Sequence, residues 1–299
     1  MSIRQPDRLV FNIIAYGIVG AFALICLLPF VLMLSGSLST QKAILTHGYA
    51  LWPRDFNLIA YEALFKVPTV MLNAFAISVA VTASGTFFSI FNNSIAAYAL
   101  GRKDFKHRNK VAFFFYITTL FNGGLVPYYI IMMNVYRMKN SIFALILPSV
   151  VSVWNILMLR NFMKNNIPDS LPESAKIDGA GEFTIYLRIV MPMMIPSLMA
   201  IGFFTAIGYW NDWFSAMLFI DNDAFIPLQY KLYRMLSTIN ALAQIMARST
   251  ANFEIPKMDL PGETVKLAMA VVAAGPIIFL FGFIQKYFVK GITVGAVKG

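Results

Sequence analysis

Six long apolar runs, separated by shorter polar segments, dominate the pattern of the chain. A bilayer core about 30 Å thick requires about 20 helical residues, each of which rises about 1.5 Å. The runs that reach this length have approximate limits of 12–34, 71–99, 111–134, 141–163, 193–220 and 266–289. The pattern therefore predicts an all-α polytopic membrane protein whose six transmembrane helices form a single domain over residues 1–299.

Composition and charge agree with this interpretation. Hydrophobic residues make up 59% of the 299 residues and charged residues only 13%, which excludes an ordinary water-soluble domain. Most of the net charge of +10 falls on the side of the N-terminus, above all on the loop GRKDFKHRNK at 101–110. By the positive-inside rule, both termini are cytoplasmic, and this loop is a topology anchor in preference to a nucleic-acid site.

Motifs for catalysis and metal binding are missing from the sequence. The chain contains no GxxxxGK[ST], HExxH or GxSxG pattern, so we expect no catalytic residue in it. Cys26 is the only cysteine, and His47 and His107 are the only histidines. Because these residues are too few and too far apart for a metal cluster, we also expect no metal and no cofactor in this chain.

Several apolar runs contain residues that should interrupt a helix. Gly123, Gly124 and Pro127 should break the third run, and Gly275 followed by Pro276 should break the sixth. Non-helical main chain at membrane depth is tolerated only where protein or a water-filled cavity surrounds it, so these breaks favour a transport route over a simple anchor. The second run has a face of small and polar residues suited to close packing, namely Ser78, Thr82, Gly85, Ser89 and Asn92.

A polar stripe in the fifth run is the candidate binding site. Its members follow helical spacing of three to four residues and are Thr205, Gly208, Asn211, Asp212 and Ser215. Trp210 and Trp213 flank it, and sugar recognition needs polar partners for hydroxyl groups beside an aromatic ring. The stripe therefore predicts a sugar site at Trp210, Asn211, Asp212 and Trp213. An interfacial tryptophan belt with interhelical hydrogen bonds explains the same residues equally well.

Two residues in the third run are weaker candidates for the same cavity. Asn122 and Tyr129 lie seven residues apart, so they fall near one face of a helix. Farther along the chain, residues 230–249 carry apolar side chains at helical spacing and predict a helix along the membrane surface or across the bundle. The stretch EIPKMDLPGE at 254–263 predicts an ordered turn before the last run.

The polar segment at 164–192 predicts a helix, a turn and a second helix on the cytoplasmic face. Ser170 and Glu173 have the spacing of a capping box, and Gly179 is placed to end the first helix in a left-handed conformation. The second helix should stop before Pro192. The element exposes Glu173, Lys176 and Asp178, with the small residues Ala175 and Ala180 as contact residues, and such a shape suits docking to another protein.

The same segment resembles the EAA loop of bacterial ABC importer permeases. That pattern runs Glu-Ala-Ala, three residues, Gly, nine residues, Ile, one residue, Leu-Pro. Here the matching positions, all in register, are Glu173, Ser174, Ala175, Gly179, Ile189, Met191 and Pro192. Ser174 in place of alanine and Met191 in place of leucine are mild departures. The resemblance implies that the loop, with Asp178 and Ala180, couples the permease to an ATPase.

The resemblance covers nearly the whole chain and points to the carbohydrate-uptake, maltose-type branch. The stretches FNGGLVPYYIIM, WNDW and YFVKGITVGAVKG are similar to permeases for complex oligosaccharides, including uronate-rich ones. It implies a type I ABC importer fold in the bacterial inner membrane, one half of a heterodimer with a second permease subunit. It also implies a cytoplasmic ATPase dimer that holds ATP and Mg, an extracytoplasmic solute-binding protein, and a C-terminal tail that reaches between the ATPase subunits.

Alternative functions remain open from the sequence. An ABC permease for another solute class, such as an amino acid, phosphate or peptide, would carry the same loop. An ion-coupled secondary transporter would use Asp212 as its titrating group, since few other ionisable residues lie inside the runs. A membrane scaffold without transport is a third alternative.

Overall fold

The computed structural model describes residues 5–248 and 262–296, and the surroundings of side chains within 10–245 and 262–285. Within these ranges the regular secondary structure is helical, without a strand. The α-helices are, in order, α1 Gln5–Ser37, α2 Gln41–His47, α3 Ile59–Leu64, α4 Pro68–Gly101, α5 Arg108–Leu120, α6 Leu125–Ile130, α7 Phe143–Ile146, α8 Val153–Asn166, α9 Ser170–Ile177, α10 Glu182–Ile185, α11 Met191–Trp210, α12 Phe214–Phe219, α13 Leu228–Arg248 and α14 Gly262–Ala296.

Six elements could cross a membrane. Four are uninterrupted helices, at Val10–Ser37, Pro68–Gly101, Glu182–Trp210 and Gly262–Gln285. Two are bent pairs: Arg108–Leu120 with Leu125–Val135 at 110°, and Phe143–Ser149 with Val153–Asn166 at 45°. Each of the six predicted runs falls on one of these elements. The helix predicted at 230–249 corresponds to α13, whereas the turn predicted at 254–263 lies outside the described residues apart from its last two, which begin α14.

The break predicted in the third run is confirmed at its glycines. Residues 121–124 separate α5 from α6, and Gly124 has a φ of 85°, a left-handed conformation that costs glycine little. The side-chain oxygen of Asn122 accepts the main-chain N–H of Gly124 at 2.9 Å. Pro127 lies in the first turn of α6, where its missing N–H would have no helical partner in any case. The proline therefore belongs to the second helix rather than to the break.

The helix end predicted at Pro192 is wrong, because the helix runs continuously from Glu182 to Trp210. A π-helical turn at Tyr186–Val190 directly precedes the proline, and the main-chain N–H of Met191 donates to the carbonyl of Tyr186. In a regular α-helix a proline ring clashes with the carbonyl four residues before it. The wider π turn relieves this clash, so the helix passes through the proline and joins the segment that begins at Glu182 to the span.

Two further predictions about helix ends are wrong. The sixth run has no break, since α14 continues through Gly275 and Pro276, and one missing N–H does not end a helix of 35 residues. The fifth run is not one helix over 193–220, since α11 ends at Trp210 and a short α12 follows. The carboxylate of Asp212 accepts the main-chain N–H of Ser215 at 3.0 Å, and this local bond competes with continuation of the helix.

The chain forms two compact units, which are described separately. The first comprises Met1–Met71 with Met235–Gly275, and the second Leu72–Arg234 with Pro276–Gly299. In the first unit, the side-chain oxygen of Gln41 accepts the main-chain N–H groups of Glu263 and Thr264, both at 3.1 Å, and so caps the start of α14. The most apolar stretch of α1 buries none of its residues within the chain.

One face of α4 organises the second unit. Ser78, Gly85 and Ser89 lie buried on it as predicted, and the Ser78 hydroxyl accepts the N–H of Leu228 at 2.7 Å. Asn92 is exposed and bonds only the carbonyl of Phe88 on its own helix, so its place on the predicted face is wrong. The buried position belongs to Asn93. Asn93 lies four residues after Ser89, which is a net rotation of about 40° around the helix axis, whereas Asn92 lies three residues after Ser89 and about 60° away in the opposite direction.

We predict that Gly85→Ala destabilises the second unit. A Cβ atom at Gly85 would lie 2.6 Å from the aromatic ring of Tyr209, so a rigid ring must move, at a cost of about 1–3 kcal/mol. Gly282→Ala is the matched control, because nothing lies within 4 Å of its Cβ position. Thermal unfolding of the purified permease should show a lower midpoint only for Gly85→Ala, and equal midpoints for both variants would contradict the packing described here.

Candidate functional site

The first helix of the predicted loop forms, but without its capping box. α9 begins with Ser170, and the residue before it, Asp169, makes no side-chain capping bond. Ser170 is thus already helical, and its carbonyl accepts the hydroxyl of Ser174 at 2.8 Å. The capping-box prediction is wrong because an N-cap residue must stand outside the helix to turn its side chain back to the third N–H. Glu173 lies exposed in the first turn.

The turn predicted at Gly179 is confirmed. Gly179 has a φ of 82° and follows Asp178, which is the C-cap residue of α9. Its N–H donates to the carbonyl of Lys176 at 3.1 Å, and the N–H of Ala180 donates to the carbonyl of Ala175 at 2.9 Å. These two bonds are those of a Schellman motif, which fixes the direction in which the chain leaves α9.

The small residues of the loop face the chain's own core. Ala175, Ala180 and Ile189 are partly buried against the largest apolar cluster of the second unit, rather than forming outward contacts as the sequence suggested for the two alanines. Pro192 is exposed. Apolar side chains left uncovered include Leu171, Ile177 and Phe183, with exposed fractions of 41%, 87% and 60%. We call Leu171, Ile177 and Phe183 the docking surface, and they are not among the predicted contact residues, which are the polar and the small residues of the segment.

A network of charges ties α9 to the loop that follows α4. Asp104 pairs with Arg102 at 2.6 Å and with Lys176 at 3.1 Å. Lys176 also pairs with one carboxylate oxygen of Glu182 at 3.1 Å. The other carboxylate oxygen of Glu182 accepts a hydrogen bond from the hydroxyl of Tyr98 at 2.7 Å. We call these five residues the charge network. Because it joins α4, the loop at 102–107 and both helices of the predicted docking element, these parts are held in a fixed relative position.

The four charged members of the network, Arg102, Asp104, Lys176 and Glu182, are ionised around neutral pH. The hydrogen bond from Arg102 is the main cause that holds the pKa of Asp104 well below its ordinary value of 3.8. Hydrogen bonds to Asp104 and then Glu182 raise the pKa of Lys176. Both shifts favour the charged forms that the pairs require. A separate pair between Lys103 and Asp169 adds a second connection between the loop and the start of α9.

The polar stripe of the fifth run lines one cavity of about 620 Å³ in the second unit. All five predicted members line it although the helix ends within the stripe. The remaining lining residues are Pro148, Ser149, Val151, Ser152, Asn155 and Tyr209. Asn155 donates to the hydroxyl of Thr205 at 3.3 Å. The volume lies in the range of sites for small ligands, and the lining offers hydroxyl, amide and carboxylate groups. We call this the polar cavity.

The two tryptophans do not flank the polar cavity, so that part of the prediction is wrong. Trp210 is 4% exposed, meets Phe75 edge to face at 5.9 Å, and lines a separate apolar groove. Trp213 stacks on Tyr233 at 4.2 Å. The physical reason is the end of α11 at Trp210, after which the main chain changes direction and carries Trp213 to α13.

The candidates from the third run lie elsewhere. Asn122 lines a second cavity of about 550 Å³ around the break between α5 and α6. Tyr129 stacks on Phe219 at 5.8 Å and lines neither cavity. Neither residue lines the polar cavity. Among the described residues, no group of three histidine, cysteine, aspartate or glutamate side chains could hold a metal ion.

Comparisons with known proteins agree on one family. The family described as "Binding-protein-dependent transport system inner membrane component" matches residues 93–294. The polygalacturonan/rhamnogalacturonan transport system permease protein YtcP of Bacillus subtilis is 35% identical over 289 residues, which cover 97% of this chain and 98% of YtcP. Protein LplC of the same organism is 34% identical over 290 residues, covering 97% of this chain and 94% of LplC.

A solved structure shows the same architecture. It is described as a bacterial ABC transporter involved in the import of the acidic polysaccharide alginate. One of its chains is 26% identical, with a TM-score of 0.77 and coverage of 96% of this chain and 99% of that chain. This likeness confirms the predicted type I permease fold. The chain belongs to the family of binding-protein-dependent transport system inner membrane components and is the transmembrane permease subunit of an ABC importer.

Proposed function

We propose that this permease moves oligosaccharides, acidic ones in particular, across the cytoplasmic membrane by alternating access. The polar cavity carries the proposal, because its lining offers hydrogen-bond partners in several directions. Hydroxyl-rich ligands require such directional partners, each of which adds specificity when the site excludes water. The substrates named for YtcP and for the alginate importer support the acidic class.

In this proposal, this chain provides the part of the transport pathway that binds the hydroxyl groups of the sugar. Asp212 is the one charged side chain among the residues that line the polar cavity, and no lysine or arginine lines it. A carboxylate accepts hydrogen bonds from sugar hydroxyls but repels the carboxylates of uronates. The acidic groups of the substrate would therefore meet the second permease subunit, which completes the cavity.

Energy would come from a separate ATPase dimer that binds ATP and Mg, so that this chain needs no cofactor. The docking surface presents apolar side chains beside the exposed carboxylate of Glu173, a composition that fits a protein groove. The charge network would transmit the movement of α9 to α4 and to the helix that begins at Glu182. With both termini cytoplasmic, the outer segments would receive the sugar from an extracytoplasmic solute-binding protein.

Uptake by reconstituted vesicles tests the proposed function. The permease is reconstituted with its partner subunits and solute-binding protein, and labelled oligogalacturonates serve as the probe. We expect uptake that requires ATP and the binding protein and that survives collapse of ion gradients. Uptake that persists without ATP would refute the coupling, and ATP-driven uptake of amino acids or phosphate but not of oligosaccharides would refute the substrate class.

Changes at the docking element should uncouple the permease from the ATPase. Glu173→Lys reverses an exposed charge, and Gly179→Pro removes a left-handed residue at a φ that proline cannot adopt. We expect each to reduce ATP-driven uptake by about tenfold or more, equivalent to about 1.4 kcal/mol, with normal insertion into the membrane. Lys106→Glu, an exposed charge reversal in the neighbouring loop, is the control. Equal uptake by Glu173→Lys and the control would count against the docking role.

Changes at the polar cavity should alter the apparent affinity for the sugar. Asp212→Asn keeps a side chain able to cap α12 but removes the charge, and Thr205→Val removes a hydroxyl at nearly constant volume. We expect the KM for oligogalacturonate uptake to rise about tenfold for Asp212→Asn, the effect of losing one charged hydrogen bond, and less for Thr205→Val. Thr86→Val changes the apolar groove instead and should leave KM unchanged. Unchanged KM in both cavity variants would refute this assignment.

The charge network should lose its stabilising effect only at strongly acidic pH. Since the folded pKa of Asp104 is lowered, its contribution is fully present above its ordinary value of 3.8 and is lost as pH falls through the lower folded value. Asp104→Asn should therefore destabilise by at most about 1 kcal/mol, because the carboxylate is half exposed. Thermal unfolding of both proteins should show a constant difference between pH 7 and pH 5. A difference that vanishes within this range would contradict the network.

A further inference from the structure

The span formed by α7 and α8 is broken beside the polar cavity. The short helix that starts at Phe143 ends at Ser149, α8 starts at Val153, and residues 150–152 between them are not helical. We call residues 150–152 the braced break. At such a break, the last carbonyls of one helix and the first N–H groups of the next have no partner within a helix. At membrane depth these groups need partners from elsewhere in the protein.

Two side chains from other helices, Asn93 of α4 and Tyr209 of α11, provide such partners. The Asn93 amide, 1% exposed, donates to the carbonyl of Val150 at 3.2 Å, and its oxygen accepts the N–H of Ser152 at 3.0 Å. It also donates to the hydroxyl of Ser89 at 3.0 Å. The hydroxyl of Tyr209 donates to the carbonyl of Ile146 at 2.8 Å. Asn93 thus bonds the first and the last residue of the braced break, and Tyr209 bonds the last helical turn before it.

The spacing along α4 explains how these partners meet. Gly85, Ser89 and Asn93 lie four residues apart and therefore on one face of the helix. Gly85 leaves the space that the ring of Tyr209 occupies, since a Cβ atom there would lie 2.6 Å from the ring. The glycine thus lets Tyr209 reach the carbonyl of Ile146, while Asn93 binds the main chain beyond it.

The braced break also lines the polar cavity. Ser149, Val151 and Ser152 face the same space as Thr205 and Asp212, and Val151 is 57% exposed. Asn93 itself is not among the lining residues, so any effect it has on a ligand must pass through the main chain that it holds. The carbonyl of Val150 and the N–H of Ser152 are taken by Asn93, whereas the main-chain N–H and C=O of Val151 bond no other described residue. These two groups are the neutral donor and acceptor that match hydroxyl groups, since a hydroxyl both donates and accepts.

We propose that the braced break is a main-chain subsite for sugar hydroxyl groups, and that Asn93 and Tyr209 are positioning residues that set its shape. This inference rests on the proposed function, because the ligand is the oligosaccharide of the polar cavity. The subsite lines the same cavity as Thr205 and Asp212, and its shape depends on Asn93, which does not line that cavity. Tyr209, which does line it, acts through the bond from its hydroxyl to the carbonyl of Ile146. An asparagine is suited to this position because one planar amide can bond a carbonyl and an N–H at once.

Thiol labelling tests the braced break without requiring transport. Cys26 is the only cysteine, so Cys26→Ser followed by Val151→Cys places a single thiol at the cavity wall. Asn93→Leu removes the bonds to the break, and Asn92→Leu, next to it but exposed, is the matched control. We expect a hydrophilic thiol reagent to label the control background readily. The Asn93→Leu background should be labelled at least about fivefold more slowly, because its unpaired main-chain groups re-form helical bonds and withdraw Val151 from the cavity.

Transport by the complete complex then tests the subsite. Asn93→Leu should raise the KM for oligogalacturonate about tenfold while kcat stays within about twofold, since ground-state contacts are lost and the ATPase coupling is intact. Oligogalacturonate should protect the thiol at position 151 in the Asn92→Leu background and not in the Asn93→Leu background. Tyr209→Phe keeps the ring against Gly85 but loses the hydroxyl that bonds Ile146, and it should raise KM to a smaller extent. This variant replaces Asn93→Leu in the test if Asn93→Leu does not insert into the membrane.

Two results would overturn the proposal. Equal labelling in the two asparagine backgrounds would show that Asn93 does not hold the break open. No protection of the thiol in a complex that transports the probe would show that the break is not a subsite. A complex that takes up no oligosaccharide would refute the substrate class instead, and the labelling comparison would still decide the role of Asn93 because it needs no substrate.

Discussion

Main-chain hydrogen bonding inside the membrane is the constraint on which the rest of this structure depends. In hydrocarbon each main-chain N–H or C=O group needs a partner within the protein, so an interrupted span requires side chains that replace the missing bonds. Asn93 and Tyr209 do this at one interruption, and Asn122 does so locally at another. Because these partners exist, the permease can place irregular main chain beside the polar cavity, where regular helices would present only side chains.

The end of the second unit that carries α9 is held together by a different kind of interaction. There the bonds are ion pairs among half-exposed side chains such as Asp104, Lys176 and Glu182. Charges at a water interface keep much of their hydration and lose little on pairing, whereas the same charges within the spans would have to be desolvated. The permease therefore has neutral hydrogen bonds at the break beside the polar cavity and ion pairs where the side chains are half exposed to water.

Local features could be predicted from the sequence, and contacts between distant segments could not. The turn at Gly179 and the break at Gly124 could be predicted from the glycines alone. Both positions have a positive φ, which glycine adopts at little cost. The choice between Asn92 and Asn93 depends on which face of α4 meets another helix, and one residue changes that face by about 100°. The tryptophans were misplaced for a similar reason, because the end of α11 at Trp210 depends on a bond made by Asp212 to a later residue.

The π turn at Tyr186–Val190 has a consequence for how length variation can act on this permease. A π turn contains one residue more than the α-helical turn it replaces. Loss of one residue from this turn is absorbed when the turn becomes α-helical, whereas the same loss from a regular stretch of the helix rotates everything before it by about 100° about the helix axis. The π turn is therefore the place at which the helix from Glu182 to Trp210 tolerates a change of length without a change in the orientation of α9.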